Sequence, residues 1–395
     1  MMSIEQRIMA QATDLKPDGY QRQKMRHLME QCVDGSRVID IAVKEGLAGF
    51  LYKSLKDSGV LDTLGEEQKE RLQSLYYNTV VFNVKLLHDL GEVLELLDQE
   101  NIQVVLLQGI ALLQQIYDDI GLRPTTDIDL WVEEKNFSAL VRILLIQGYQ
   151  RDKLYPTTFR KGSTILDLRT HILWADRIKA REFLLSKNQE TIYNATTTIE
   201  VDGHKVRCLN EYDQVLYLML HALKHNVERL LWLADIKLLV EDWKKSDWQA
   251  LIDRARELGQ EKPIYYILYL LFHLFEFQSP VEACKILQGE HLNLLEKKVL
   301  RRRIAGNSLP VWAPLILFTS GKPWSTRLAF MFESLFPKAE VMRQIFPTHP
   351  EGKVWQLYCK RVLQCFRMIK KKSEKGDLRL RISDFGFEKR DRARG

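Results

Sequence analysis

The chain has 395 residues, of which 46% are hydrophobic, 10% aromatic and 28% charged, with a formal net charge of +6. That length and apolar content suffice for two or three domains with real cores, and the charged fraction is that of an ordinary soluble protein. No apolar run reaches the roughly 20 residues that cross a bilayer, so no membrane span is expected.

The five cysteines, Cys32, Cys208, Cys284, Cys359 and Cys365, are scattered, with no Cys-x-x-Cys pair. Neither a zinc ribbon nor a disulfide framework is indicated. The segment Met1–Arg7 lacks the apolar core of a secretory leader, and a cytoplasmic, reducing location is expected.

In chain order, residues 4–98 read as helical, with apolar positions at helical spacing in Tyr20–Val33, Ile39–Leu55 and the long stretch Gln68–Leu97. From Asn101 the period changes. Ile102–Leu107 reads as a buried strand, Ile110–Tyr117 as a helix, Asp127–Val132 as a second strand and Lys135–Gln147 as an amphipathic helix stopped near Gly148. Tyr149–Leu154, Thr157–Lys161 and Thr164–Thr170 read as an antiparallel meander. Glu190–Val201 and Lys205–Leu209 read as a hairpin turning at Asp202-Gly203.

Beyond Asn210 the helical pattern returns: Gln214–Lys224, Arg229–Trp243, Asp247–Leu258, Lys262–Phe277, Val281–Leu287, Leu292–Ile304, Ser325–Phe336 and Lys353–Lys371. Ser308–Trp324, with three prolines, reads as a long loop. The basic run Lys297, Lys298, Arg301, Arg302 and Arg303 reads as a solvated helix end. From Lys353 onward the chain carries fourteen Lys/Arg against five Asp/Glu, a basic end best read as a solvated tail after Phe387. The expected fold is α+β and predominantly helical. It divides into an N-terminal helical region (1–98), an α+β core with a small mixed sheet (99–209), a C-terminal helical domain (210–352) and a basic helix and tail (353–395).

The chemistry concentrates in the α+β core. Residues two apart on a strand share a face, so Asp127 and Asp129 project together while Ile128, Leu130 and Val132 point into a core. Two adjacent carboxylates repel unless a cation lies between them. Gly109 ends a strand and opens a helix, where free N–H groups suit a phosphate and the missing side chain lets it approach. A third acid, Asp167, alternates with Leu166 and Leu168 on a later strand. Three carboxylates beside such a turn make a candidate two-metal site for attack on a nucleotide phosphate. From the residues alone, Arg123 reads as a surface partner of Asp118 or Asp119. His221 and His225 stand four apart on one helical face, the spacing of a metal pair, but Ala222 stands where the zinc-protease pattern has Glu. A polar helix face packed on the α+β unit is the simpler reading. Trp232, Trp243 and Trp248 read as packing residues.

The order glycine turn, helix, Asp-x-Asp and third Asp resembles the nucleotidyltransferase superfamily, whose core is DNA polymerase β-like. Within it, the chain resembles the bacterial uncharacterised nucleotidyltransferase family, on Gln108-Gly109, Arg123, Asp127-Ile128-Asp129, Asp167-Leu168-Arg169, and the helical segments Leu220–His225 and Arg229–Ile236. The resemblance implies a transferase that binds ATP or another nucleoside triphosphate together with two Mg²⁺ ions, Mn²⁺ being the alternative metal. An acceptor attacks the α-phosphate and pyrophosphate leaves. Asp127 and Asp129 would hold both ions. Asp167 would hold the catalytic ion and help deprotonate the acceptor. Gln108, Gly109 and Arg123 would face the nucleotide, and Arg169, His171, His221 and His225 would support them. The acceptor is expected to be a small molecule, a glycan precursor or a protein, with nucleic acid ranked last.

Three positions depart from the pattern. Gln108 replaces a Lys, Ile110 follows the turn glycine where the superfamily has Ser, and Arg169 stands where the family has His. These exchanges keep a second reading open, a non-catalytic nucleotide- or partner-binding protein on the same fold.

Overall fold

The period-two segments form strands β1 (Val104–Leu107), β2 (Ile128–Val132), β3 (Gln150–Arg151), β4 (Thr158–Lys161), β5 (Thr164–Arg169), β6 (Thr197–Val201) and β7 (His204–Cys208). In the computed structural model, which describes residues 2–32, 34–277, 292–310, 312–346 and 353–371, they pair in the order β3-β4-β5-β2-β1-β7-β6. β2 runs antiparallel to β1 and parallel to β5, while β1 and β7 are parallel, so the sheet is mixed. With helices before and after it, the protein is α+β and predominantly helical. One contiguous cluster of buried apolar side chains, from Ile8 through the sheet to Phe330, joins the helices at both ends to the strands.

Helix α5 (Glu66–Gln99) buries Leu86, Leu90, Val93, Leu94 and Leu97, spaced three and four apart, on one stripe. It also fixes the approach to β2. Asn83 Nδ2 donates to the carbonyls of Ile120 (2.7 Å) and Arg123 (2.8 Å). Gly121 packs so closely on α5 that a Cβ would lie 2.3 Å from the Tyr76 ring, which leaves no room for any other residue.

The local reading needs three corrections. Glu190–Asn194 is a short helix, α8, so the hairpin strand begins only at Thr197. Asn188 Oδ1 accepts from Glu190 N and its carbonyl from Thr191 Oγ1. The adjacent Ile192 and Tyr193 are both buried, which an alternating strand on one face does not allow. The proline-rich segment contains a helix, Ala313–Leu317, with Pro314 in its first turn, where a missing N–H costs nothing. Arg303 is not solvated: it is 3% exposed and paired with Glu45, which also accepts from Leu230 N. The expected helix Val281–Leu287 and the tail after Phe387 lie outside the described residues. No helix among the described residues is long and apolar enough to cross a membrane.

Candidate metal centre

The parallel register of β2 and β5 sets Asp129 directly opposite Asp167, and Asp127 lies one residue before β2. Ile128, Leu130 and Val132 fill the core on the other face. One carboxylate oxygen from each of Asp127, Asp129 and Asp167 lies within 4.8 Å of the others, the only such group of metal-type ligands among the described residues. Asp129 and Asp167 are each 4% exposed and Asp127 is half-buried. An oxygen-only set at this spacing fits Mg²⁺ or Mn²⁺ and offers nothing to metals that prefer sulfur or imidazole.

Arg169, at the end of β5, donates from Nη2 to Asp129 Oδ1 and lies 4.7 Å from the centre of the Trp174 ring. Asp129 holds its guanidinium above the ordinary pKa despite burial. The guanidinium therefore offsets part of the repulsion among the acids.

Gln108 opens helix α6 (Gln108–Gln115) directly after β1, with φ at 55°, a left-handed conformation that is costly outside glycine. Its Nε2 donates to Tyr217 Oη at 3.0 Å. Gly109 turns its bare face towards protein: a Cβ would meet Thr125 Cγ2 at 2.7 Å and Arg123 Nη1 at 2.9 Å. The glycine is thus required by the close approach of the segment that leads into β2.

Arg123 forms no surface pair with Asp118 or Asp119. It is 5% exposed and makes a two-pronged pair with Asp235 on helix α10 (Leu230–Val240), at 2.9 Å from Nε and 2.8 Å from Nη2. Tyr117 Oη donates to the same carboxylate at 2.6 Å. Asp119 accepts instead from Tyr76.

Helix α9 (Glu211–Lys224) is buried along one unbroken stretch from Asp213 to Lys224 and brings Tyr217, His221 and Lys224 to the site, with His225 following as its C-cap. His221 and His225 lie against each other (4.6 Å between ring centres) and against Trp232 (5.3 and 5.4 Å). They belong to an aromatic and cationic cluster and not to the acid triad. His171 accepts from Leu173 N at 3.1 Å through Nδ1.

Burial first, and then Lys224, holds both His221 and His225 well below the ordinary pKa of 6.5. Below that pH the unfolded chain takes up protons that the folded chain refuses. Stability present above pH 6.5 is therefore lost as pH falls, by up to about 1.4 kcal/mol per pH unit for each histidine. Urea unfolding between about pH 7.5 and pH 5.5 should show the midpoint falling, and His225→Gln should flatten that slope. A slope unchanged by the substitution would contradict this account.

A cavity of about 630 Å³ lies elsewhere, among Gln115, Thr197, Asn210, Tyr212 and Arg254, and includes none of the three acids.

A mixed sheet that sets Asp129 opposite Asp167, with Asp127 just before β2 and a strand–turn–helix junction beside them, is in keeping with a protein of the nucleotidyltransferase class. The chain belongs to the uncharacterised nucleotidyltransferase family, whose family model matches residues 31–276. We found no curated protein that matches the chain.

Proposed function

We propose that the protein moves a nucleoside monophosphate from a nucleoside triphosphate to an acceptor and releases pyrophosphate, with a divalent metal at Asp127, Asp129 and Asp167. The observation that carries this reading is the convergence of the three carboxylates within 4.8 Å in a chain of this family. Bound Mg²⁺, or Mn²⁺ in its place, supplies charge neutralisation at the phosphate oxygens. Asp129 on β2, Asp127 just before it and Asp167 on β5 would hold the ion. Asp167 also accepts the proton of the attacking acceptor hydroxyl. The bond from the acceptor oxygen to the α-phosphorus forms as the bond to the β-phosphate oxygen breaks. Tyr217, pushed up to about 12 by burial, stays protonated and accepts from Gln108. The Arg123–Asp235–Tyr117 cluster orients the loop that delivers Asp127.

The second reading, a nucleotide- or partner-binding protein without turnover, draws on the Arg169–Asp129 pair and on the turn Gln108-Gly109-Ile110. Two measurements separate the readings. Mg²⁺ together with one of the four ribonucleoside triphosphates should raise the melting temperature more than either alone, and Asp127→Ala with Asp129→Ala should remove the gain. Pyrophosphate release in a cell extract that supplies the acceptor then marks turnover. No thermal shift with any of the four nucleotides rejects the transferase reading.

A further inference from the structure

Next to the acid triad lies a second cluster of opposite sign. Trp174, on the segment after β5, has φ at 61°, a left-handed backbone rare for a bulky side chain, and its ring is 5% exposed. Lys224 Nζ sits 3.5 Å from the ring centre, Arg169 Cζ 4.7 Å and Arg181 Cζ 6.0 Å. Lys224 and Arg169 are each 8% exposed and Arg181 1%. Arg177, half-buried on the same segment, donates to Gln344 at 2.7 Å.

Two of these cations, Lys224 and Arg177, are poorly matched inside the protein. Among the described residues neither Lys224 nor Arg177 forms an ion pair, and Arg169 is the cation paired with Asp129. Asp176 acts on Arg177 and Arg181, and Asp129 on Arg169 and Lys224. Burial, reinforced by Arg169, Arg181 and Arg177, pushes the Lys224 amine well below its ordinary value. Burial and Arg177 push Arg181 down to about 9. Four buried nitrogens around the ring lack a hydrogen-bond partner among the described residues: Arg169 Nη1, Arg177 Nε, Trp174 Nε1 and His221 Nδ1. Buried polar groups are almost always paired, and buried charges are tolerated when an opposite charge meets them. Stacking on Trp174 would be served as well by an apolar side chain, so packing alone does not account for the cations.

We propose that Trp174, Lys224, Arg169, Arg177 and Arg181 form a pocket for a phosphate-class oxyanion. Guanidinium forks and a lysine point charge match the tetrahedral oxygens of phosphate better than any neutral ligand. Arg169 lines this pocket and pairs with Asp129 of the triad, so the two sites share a wall. The oxyanion is then part of the reacting molecules, either the polyphosphate of the nucleotide or a phosphate carried by the acceptor. That assignment of the ligand rests on the transferase reading, whereas the pocket itself rests on its own cations.

The test is calorimetric titration of the metal-free full chain with inorganic pyrophosphate, beside Lys224→Met, Arg181→Met and Arg177→Met. Pyrophosphate should bind the native chain, and each substitution should weaken it by at least about tenfold. Lys224→Met keeps the apolar stem on Trp174 and should leave the ligand-free melting temperature the same or higher. Arg177→Met, at the half-buried edge, tests the pocket even if a deeper variant fails to fold. Absence of pyrophosphate binding to the native chain, or equal affinity in Arg177→Met, overturns the proposal. Mn²⁺ binding, read by electron paramagnetic resonance, reports separately on the triad: its loss with pyrophosphate binding intact rejects the metal reading and leaves the pocket standing. Repeating the titration with Mg²⁺ and a non-hydrolysable triphosphate present identifies the source. Competition assigns the pocket to the polyphosphate of the nucleotide, and undiminished binding of pyrophosphate assigns it to a phosphate of the acceptor; both support the pocket.

Discussion

Asp127→Asn should lower nucleotidyl transfer by at least about a hundredfold while leaving the fold intact. Loss of a group that merely orients a metal ligand already costs about 10- to 100-fold, and a direct ligand should cost more. Asp127 is the cleanest of the three acids for this purpose because it is half-buried and precedes β2. Neutralising it also relieves repulsion from Asp129 and Asp167, so the ligand-free melting temperature should hold or rise. Asp129→Asn is a poorer test, since it strands the Arg169 guanidinium, which is 8% exposed, without its carboxylate. The measurements are pyrophosphate release with acceptor-containing extract and Mn²⁺ affinity. Transfer within about tenfold of the native rate, with Mn²⁺ affinity unchanged, would remove Asp127 from the metal centre.

The acid pair was legible because its signal is local. Asp127 and Asp129 lie two apart between residues that alternate into the core, and Asp167 repeats the pattern on β5. Periodicity also placed the sheet strands and α5. It misread Glu190–Asn194, a five-residue helix too short to show a period. What sequence could not show were the partners that topology supplies. Arg123 meets Asp235 across 112 positions, and Gln108 meets Tyr217 across 109. The cation cluster was missed for the same reason. Arg177 lies in an irregular segment, Arg181 in a short 3-10 helix (Lys179–Leu184), and Lys224 ends a helix whose sequence shows apolar repetition but not which neighbour it faces. The one usable signal was Lys224 and His221 on a helix apolar nearly all round, since polar groups on a fully buried helix ask for a ligand or partner.

Asp235→Ala should be the most destabilising single substitution near the site, costing about 3–5 kcal/mol, the usual effect of removing one partner of a buried ion pair. Asp235 is fully buried and accepts three hydrogen bonds, two from Arg123 and one from Tyr117. Its removal leaves a guanidinium that is 5% exposed with no counter-charge and a phenol with no acceptor. Tyr117→Phe loses one hydrogen bond and should cost only about 1 kcal/mol. The double substitution Arg123→Met with Asp235→Leu removes both charges together and should recover most of the loss, because the pair's attraction and its desolvation penalty nearly cancel. Urea unfolding of the three variants resolves this order. The consequence reaches the acids, since the carbonyl of Arg123 is held by Asn83 and its guanidinium by α10, four residues before Asp127. Were the double variant as stable as the native chain but weaker in Mn²⁺ binding, the cluster would be a positioning device for Asp127. Were it as unstable as Asp235→Ala, the cost would lie in packing and not in the stranded charge, and the electrostatic account of this cluster would fail.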